Sequence, residues 1–136
     1  MRTGKGGHKV KTAIVITVIL LAFIFVLDLG SYYYLKDTAM SISQSIEALP
    51  EKIENEKWDT ATDDLNKASN RWSSVKGIWA VLINHDEIDK IDMSLVRLRS
   101  FVQYNDTEEA MAEYNTLKML VKHIPENQRF SLVNIF

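Results

Sequence analysis

Ala13–Leu27, AIVITVILLAFIFVL, is a run of 15 residues in which Thr17 is the one polar side chain, and a threonine can hydrogen-bond back to its own helix. At about 1.5 Å per residue the run covers about 22 Å, short of the ~30 Å hydrocarbon core of a bilayer. A membrane-spanning helix must therefore recruit its neighbours, roughly from Thr12 to Ser31. Lys9 and Lys11 are placed to snorkel at one end, and Tyr32, Tyr33 and Tyr34 suit the aromatic belt at the other. Asp28 then falls about one turn inside the outer boundary, where it either reaches the headgroups or meets a partner helix. The headgroup reading is the simpler one.

Two rival readings fit less well. A cleaved signal peptide also pairs a basic start with a short apolar centre, but residues 28–41, DLGSYYYLKDTAMS, offer no clean small-x-small cleavage site and carry bulky tyrosines. A buried core helix of a soluble protein would show a polar face, which the run lacks.

The charges give a direction. Residues 1–11 hold Arg2, Lys5, Lys9 and Lys11 and no acid, net +4, which leaves 12 basic and 18 acidic residues beyond them, net −6. Positive flanks stay in the cytoplasm, so the expectation is a single-pass plasma-membrane protein with a short basic cytoplasmic tail over residues 1–11. Gly4, Gly6 and Gly7 suggest that this tail is flexible. The span and its belt occupy residues 12–34, and the chain from residue 35 onward is extracytoplasmic. The acidic remainder argues against nucleic-acid binding, which needs clustered Lys and Arg. There are no cysteines, hence no disulfide framework and no thiolate metal site.

Beyond the run, four stretches place apolar residues at alternating threes and fours. The first is Ala39, Ile42, Ile46, Leu49, Ile53. The second is Trp58, Ala61, Leu65, Ala68, Trp72, Val75, Trp79, Leu82. The third is Ile88, Ile91, Leu95, Leu98, Val102, and the fourth Ala110, Tyr114, Leu117, Val121, Ile124. Each set lies on one stripe of a helix, and period-2 alternation is absent. The breaks between them are short and polar, Asn55-Glu56-Lys57 before a candidate cap at Asp59, then Asn84-His85-Asp86 and Asn105-Asp106-Thr107, whose Asp and Asn side chains can cap the helices that follow. Short loops force antiparallel neighbours. The expected fold is therefore all-α: one N-terminal transmembrane helix, then an antiparallel, up-down-up-down bundle of about four helices over residues 35–125. Pro50 inside the first stripe predicts a kink or restart near Leu49-Pro50, and Pro125 predicts the end of the fourth helix at about His123-Ile124. Residues 126–136 would form an apolar C-terminal tail, docked on its own bundle, on the membrane or on a partner.

The candidate chemistry is thin. His85, Asp86, Glu87 and Asp89 form the densest polar cluster. A histidine with nearby carboxylates suits a metal or acid–base chemistry, yet Asp86 followed by Asp89 is also nearly a capping box. In an up-down-up-down order the C-terminal ends of the second and fourth helices, with His85 and His123, come to one end of the bundle, the membrane-proximal one. His85, Glu87 and His123 are thus weak metal candidates, and a histidine at a helix C-terminus also simply suits the dipole. The three tryptophans occupy stripe positions and read as core, each indole N–H finding a local partner, rather than as a ligand cage. No nucleophile–base pair, phosphate-binding Gly loop or repeated metal spacing appears, so neither an enzymatic activity nor a cofactor is expected.

Trp79, Leu82-Ile83-x-His85-x-Glu87-Ile88-Asp89, Ser94-Leu95-x-Arg97-Leu98, Leu117-Lys118, His123-Ile124-Pro125-Glu126 and the ending Asn134-Ile135-Phe136 make a pattern that covers nearly the whole chain. It resembles a domain-of-unknown-function family, number 4363, of small single-span membrane proteins from spore-forming Gram-positive bacteria. Pro50 departs from the helical pattern expected there. The resemblance implies no catalytic activity, cofactor or substrate. It implies genes lying beside those of a second membrane-protein family, which suits an accessory subunit.

The functional expectation is a non-enzymatic accessory or scaffold protein, held in the lipid bilayer, whose helical domain binds a membrane-protein partner or a second copy of itself. His85, Glu87, Asp89, His123, Glu126 and Phe136 would face that partner. The alternative is an extracytoplasmic ligand or metal sensor acting through a partner, since 11 cytoplasmic residues cannot relay a signal alone. A hydrolase using His85 and Glu87 ranks last.

Overall fold

One helix, α1 (Lys5–Ser45), carries both the apolar run and the start of the first heptad stripe. The computed structural model describes the backbone of residues 5–133 and the side chains of residues 9–127. The chain divides between Tyr33 and Tyr34 into two units.

The first unit is the N-terminal part of α1. Among the described residues α1 is the one helix long and apolar enough to cross a membrane. Its large apolar side chains from Val10 to Leu29 are all exposed. Its hydroxyls are satisfied internally: Thr17 donates to the Ala13 carbonyl at 3.0 Å and Ser31 to the Leu27 carbonyl at 2.9 Å. The glycine-rich start is not a free tail from Lys5 onward, because the helix already includes Gly6 and Gly7. Extending an existing helix fixes one residue per hydrogen bond, so it tolerates glycines that would defeat nucleation.

The second unit is a helical bundle. It contains residues 34–45 of α1, then α2 (Leu49–Glu54), α3 (Trp58–Leu82), α4 (His85–Gln103) and α5 (Thr107–Val133). Every residue of the four stripes is buried except Trp58 and Leu82, which are half-buried against the core. Cross-helix bonds fix the directions. Trp79 reaches Thr38 and Arg71 reaches Ser41, so α3 runs antiparallel to α1. Trp72 reaches Asp92 and Arg99 reaches Ser69, so α4 runs antiparallel to α3. A short turn then returns the chain along α5, whose Glu113 meets Ser94 and Arg97 of α4.

The first stripe breaks as expected. α1 stops at Ser45, and Pro50 sits in the first turn of α2, where its missing N–H would have had no partner anyway. The chain then leaves α2 through a left-handed residue, Glu56 (φ 55°), with Lys57 N–H bonded to Lys52 O at 2.8 Å and Glu56 N–H to Ile53 O at 3.1 Å. The same Schellman arrangement ends α4: Asn105 has φ 59°, Asp106 N–H meets Phe101 O and Asn105 N–H meets Val102 O. Asparagine tolerates this conformation and glutamate does so poorly. Glu56→Gly should therefore stabilise the bundle, by about 0.5–1 kcal/mol after the extra entropy of an unfolded glycine, while Asn105→Gly should be close to neutral. Urea unfolding followed by helical circular dichroism measures both.

Three local expectations need correcting. Asp59 is not the cap of α3: that position is Lys57, with no side-chain bond, and Asp59 lies in the first turn, where its charge favours the helix dipole. α4 starts two residues earlier than a cap at Asp86 would allow, because Asn84 accepts from Asp86 N–H at 3.1 Å and makes His85 the first helical residue. Pro125 does not end α5, which continues to Val133. Pro125 is buried beside Ile124, and that apolar packing compensates for the one hydrogen bond lost in passing through a proline. Residues 126–133 are therefore the last turns of α5, and residues 134–136 of the expected apolar tail lie outside the described residues.

Candidate functional site

The histidine motifs do come to one end of the bundle. The Trp79–Thr38 bond sets the C-terminal end of α3 beside the start of the second unit, and the short link Ile83-Asn84 puts His85 at that same end. From the Ser94–Glu113 and Arg97–Glu113 contacts, α5 runs back past α4 and brings His123 there too. Neither histidine ends a helix, however. His85 opens α4, and His123 lies within α5.

Both histidines are exposed, as are Asp89 and Glu126. Glu87 is half-buried and holds Lys90 at 2.8 Å, and this hydrogen bond, aided by their attraction, raises the Lys90 ammonium above its ordinary value. Among the described residues no hydrogen bond or ion pair links these side chains to one another apart from that local pair, and no three His, Cys, Asp or Glu side chains converge as a metal site would require. Phe136 lies outside the described residues. Of the interface residues in the first unit, Lys9, Lys11, Asp28 and Tyr33 are exposed, and Tyr32 meets Tyr33 edge-on at 5.6 Å. Tyr34 packs against the bundle core in the second unit.

The polar side chains that the bundle buries act as clamps. Ser94 donates to Glu113 at 2.5 Å, and Arg97 grips the same carboxylate with two N–H groups at 2.9 and 3.0 Å. Burial alone would raise Glu113, but the hydrogen bonds from Arg97 and Ser94 outweigh it and hold the carboxyl below its ordinary value. Asp64 behaves alike: burial pushes it up, and Lys52 at 2.5 Å with Lys67 at 3.2 Å brings it down further. Both carboxyls bind protons more weakly folded than unfolded, so their stabilisation is complete above the ordinary carboxylate range and is lost as pH falls through the lowered folded values. The thermal midpoint should stay flat from pH 8 to about 5 and drop below about pH 4. Asp64→Asn and Glu113→Gln should shallow that acid limb, and identical acid limbs in wild type and double variant would refute the assignment.

A groove that sequence reading did not find runs between α3 and α4, about 450 Å³ in volume. Trp72 and Leu95 floor it. Ser69, Ser73 and Lys76 form the α3 wall, and Val96, Arg99 and Ser100 the α4 wall. Asp92 lies at one end, accepts the Trp72 indole N–H at 2.6 Å and pairs with Lys76. A signal for it existed: Ser69, Ser73 and Lys76 follow a second 4-3 spacing beside the core stripe of α3, and Asp92, Val96, Arg99 and Gln103 do so on α4.

Fold and surfaces together define a small helical-bundle protein whose N-terminal helix has the length and apolarity of a membrane span. The chain belongs to the family described as Domain of unknown function (DUF4363), whose model matches residues 29–135. No curated protein and no solved structure matches the chain.

Proposed function

We propose that this chain is a single-pass plasma-membrane accessory or scaffold protein without catalysis of its own, its N-terminus cytoplasmic and its bundle extracytoplasmic, binding a membrane-protein partner. The observation that carries the reading is the exposed apolar length of α1, joined to a second unit whose buried residues are spent on a filled core and on ion-pair clamps. The charge step across the apolar run supports the orientation. The partner-facing surface is the end of the bundle from which the chain continues back into the apolar helix, with His85, Glu87, Asp89, His123 and Glu126.

A photo-crosslinking residue at Asp89 or His123, in the full chain in its native membrane, tests this. The expected result is one discrete adduct, shared by both positions and absent from a probe at Glu108, with a partner that itself spans the membrane. Adducts to lipid alone, or the same adducts from all three positions, would overturn it. Protease access from the outside to the bundle in intact cells tests the orientation independently.

A further inference from the structure

We propose that the α3–α4 groove is a second docking surface, for an acidic amphipathic helix of another polypeptide. It is distinct from the end of the bundle that carries His85 and His123. Two antiparallel helices with a gap between them present a ready track for a third helix, whose apolar face settles on the exposed Val96 above the buried floor of Trp72 and Leu95. The α3 wall is serine at two positions, so a backbone can approach closely there.

The charge of the groove selects an acidic occupant. Lys76 is already neutralised by Asp92. Arg99 is not: its guanidinium donates to the Ser69 hydroxyl at 2.9 Å, and no carboxylate of a described residue lies within ion-pair distance of it. Ser73, Ser100 and Gln103 likewise make no side-chain hydrogen bond to a described residue, which leaves hydroxyl and amide groups around Arg99 for an incoming carboxylate.

Exposed apolar side chains neighbour the groove residues of α4 in sequence, Met93 after Asp92 and Tyr104 after Gln103. Val96 is 66% exposed, Met93 57% and Tyr104 81%. Met93 to Tyr104 spans about 16 Å, or three helical turns, the length of a short docking segment. Arginine and tyrosine around an apolar centre are the residue types that dominate binding surfaces. The groove also extends from Lys76 and Asp92 toward Ser69 and Gln103, away from the Trp79–Thr38 end, which favours a polypeptide over a lipid headgroup.

The test uses the full chain in zwitterionic nanodiscs and two labelled helical peptides, each about four turns long with the same leucine face, one flanked by glutamates and one by lysines. Fluorescence anisotropy should show saturable binding of the glutamate peptide, about tenfold tighter than the lysine peptide. Arg99→Glu should reverse that preference. Val96→Ser and Tyr104→Ser should each weaken the glutamate peptide about five- to tenfold. All three positions are exposed, and unchanged circular dichroism checks that the variants fold. Equal binding of both peptides, no saturable binding, or indifference to Arg99→Glu would overturn the proposal. So would a self-associated chain that Arg99→Glu dissociates in the absence of peptide, since the groove would then be a contact between copies. The Asp89 and His123 adducts should be unaffected by Arg99→Glu, so the two surfaces stand or fall separately.

Discussion

Trp79→Ala should unfold the bundle more readily than any other single truncation on α3, with a loss of about 3–5 kcal/mol, the range for removing a fully buried large aromatic. Trp79 is 0% exposed and meets Trp72 edge-on, ring centroids 5.3 Å apart and planes at 86°. Its indole N–H also donates to Thr38 Oγ1 at 2.8 Å, and that hydroxyl donates onward to the Tyr34 carbonyl at 2.7 Å. The alanine variant thus leaves a cavity, removes an aromatic pair and cuts a hydrogen-bonded link between α3 and α1. Two milder variants separate these effects. Trp79→Phe keeps a ring and loses the N–H, and Thr38→Val keeps the shape and loses the acceptor, stranding a buried indole N–H at a cost of about 1–3 kcal/mol. Urea unfolding in detergent, read from the helical signal, should rank Trp79→Ala well below both. A Trp79→Ala loss no larger than that of Thr38→Val would mean that the ring contributes little packing.

Ile42→Asp should be comparably damaging, while Met40→Asp, two residues away, should be tolerated. Ile42 is 0% exposed in the core and Met40 is 51% exposed on the opposite side of α1. A carboxylate at position 42 either carries its charge into an apolar interior or takes up a proton, and each costs several kcal/mol. The apolar part of α1 lies outside this core, so the expected phenotype is specific. The variant should still insert in membranes, yet its bundle should become sensitive to protease. It should also regain stability at acid pH relative to wild type, as the introduced carboxylate takes up its proton. Equal protease resistance of Ile42→Asp and Met40→Asp would show that α1 is not part of the core.

The heptad stripes were legible because helical burial has a fixed period. Ile88, Ile91, Leu95, Leu98 and Val102 could be assigned to one buried face with no knowledge of their neighbours, and so could Pro50 as a restart. Local turn chemistry was half legible. Asn105 and Asp106 announce a left-handed exit and a cap, and Asp106 does accept from Glu109 N–H. Glu56 gives no such notice, since glutamate is not a residue type that favours the left-handed conformation it adopts. Pro125 misled because a proline's local cost is smaller than the burial it can join. The clamps at Asp64 and Glu113 could not be foreseen, because each joins residues from different helices whose rotation about their axes is set only when the cores meet.

The opening run from Ala13 to Leu27, with its charge step, was by itself enough to mark a helix fit to span a membrane, and the stripes were enough for an all-α bundle. These follow from composition and period, which one segment carries alone. The tertiary structure decided what those helices leave uncovered: that His85 and His123 share an end with no hydrogen bond between them among the described residues, that α1 runs unbroken from Lys5 to Ser45, and that Arg99 faces a serine-walled groove without an acid beside it among the described residues. Gaps and unpaired charges belong to pairs of helices, and their relative rotation and spacing emerge only when side chains from distant parts of the chain pack together.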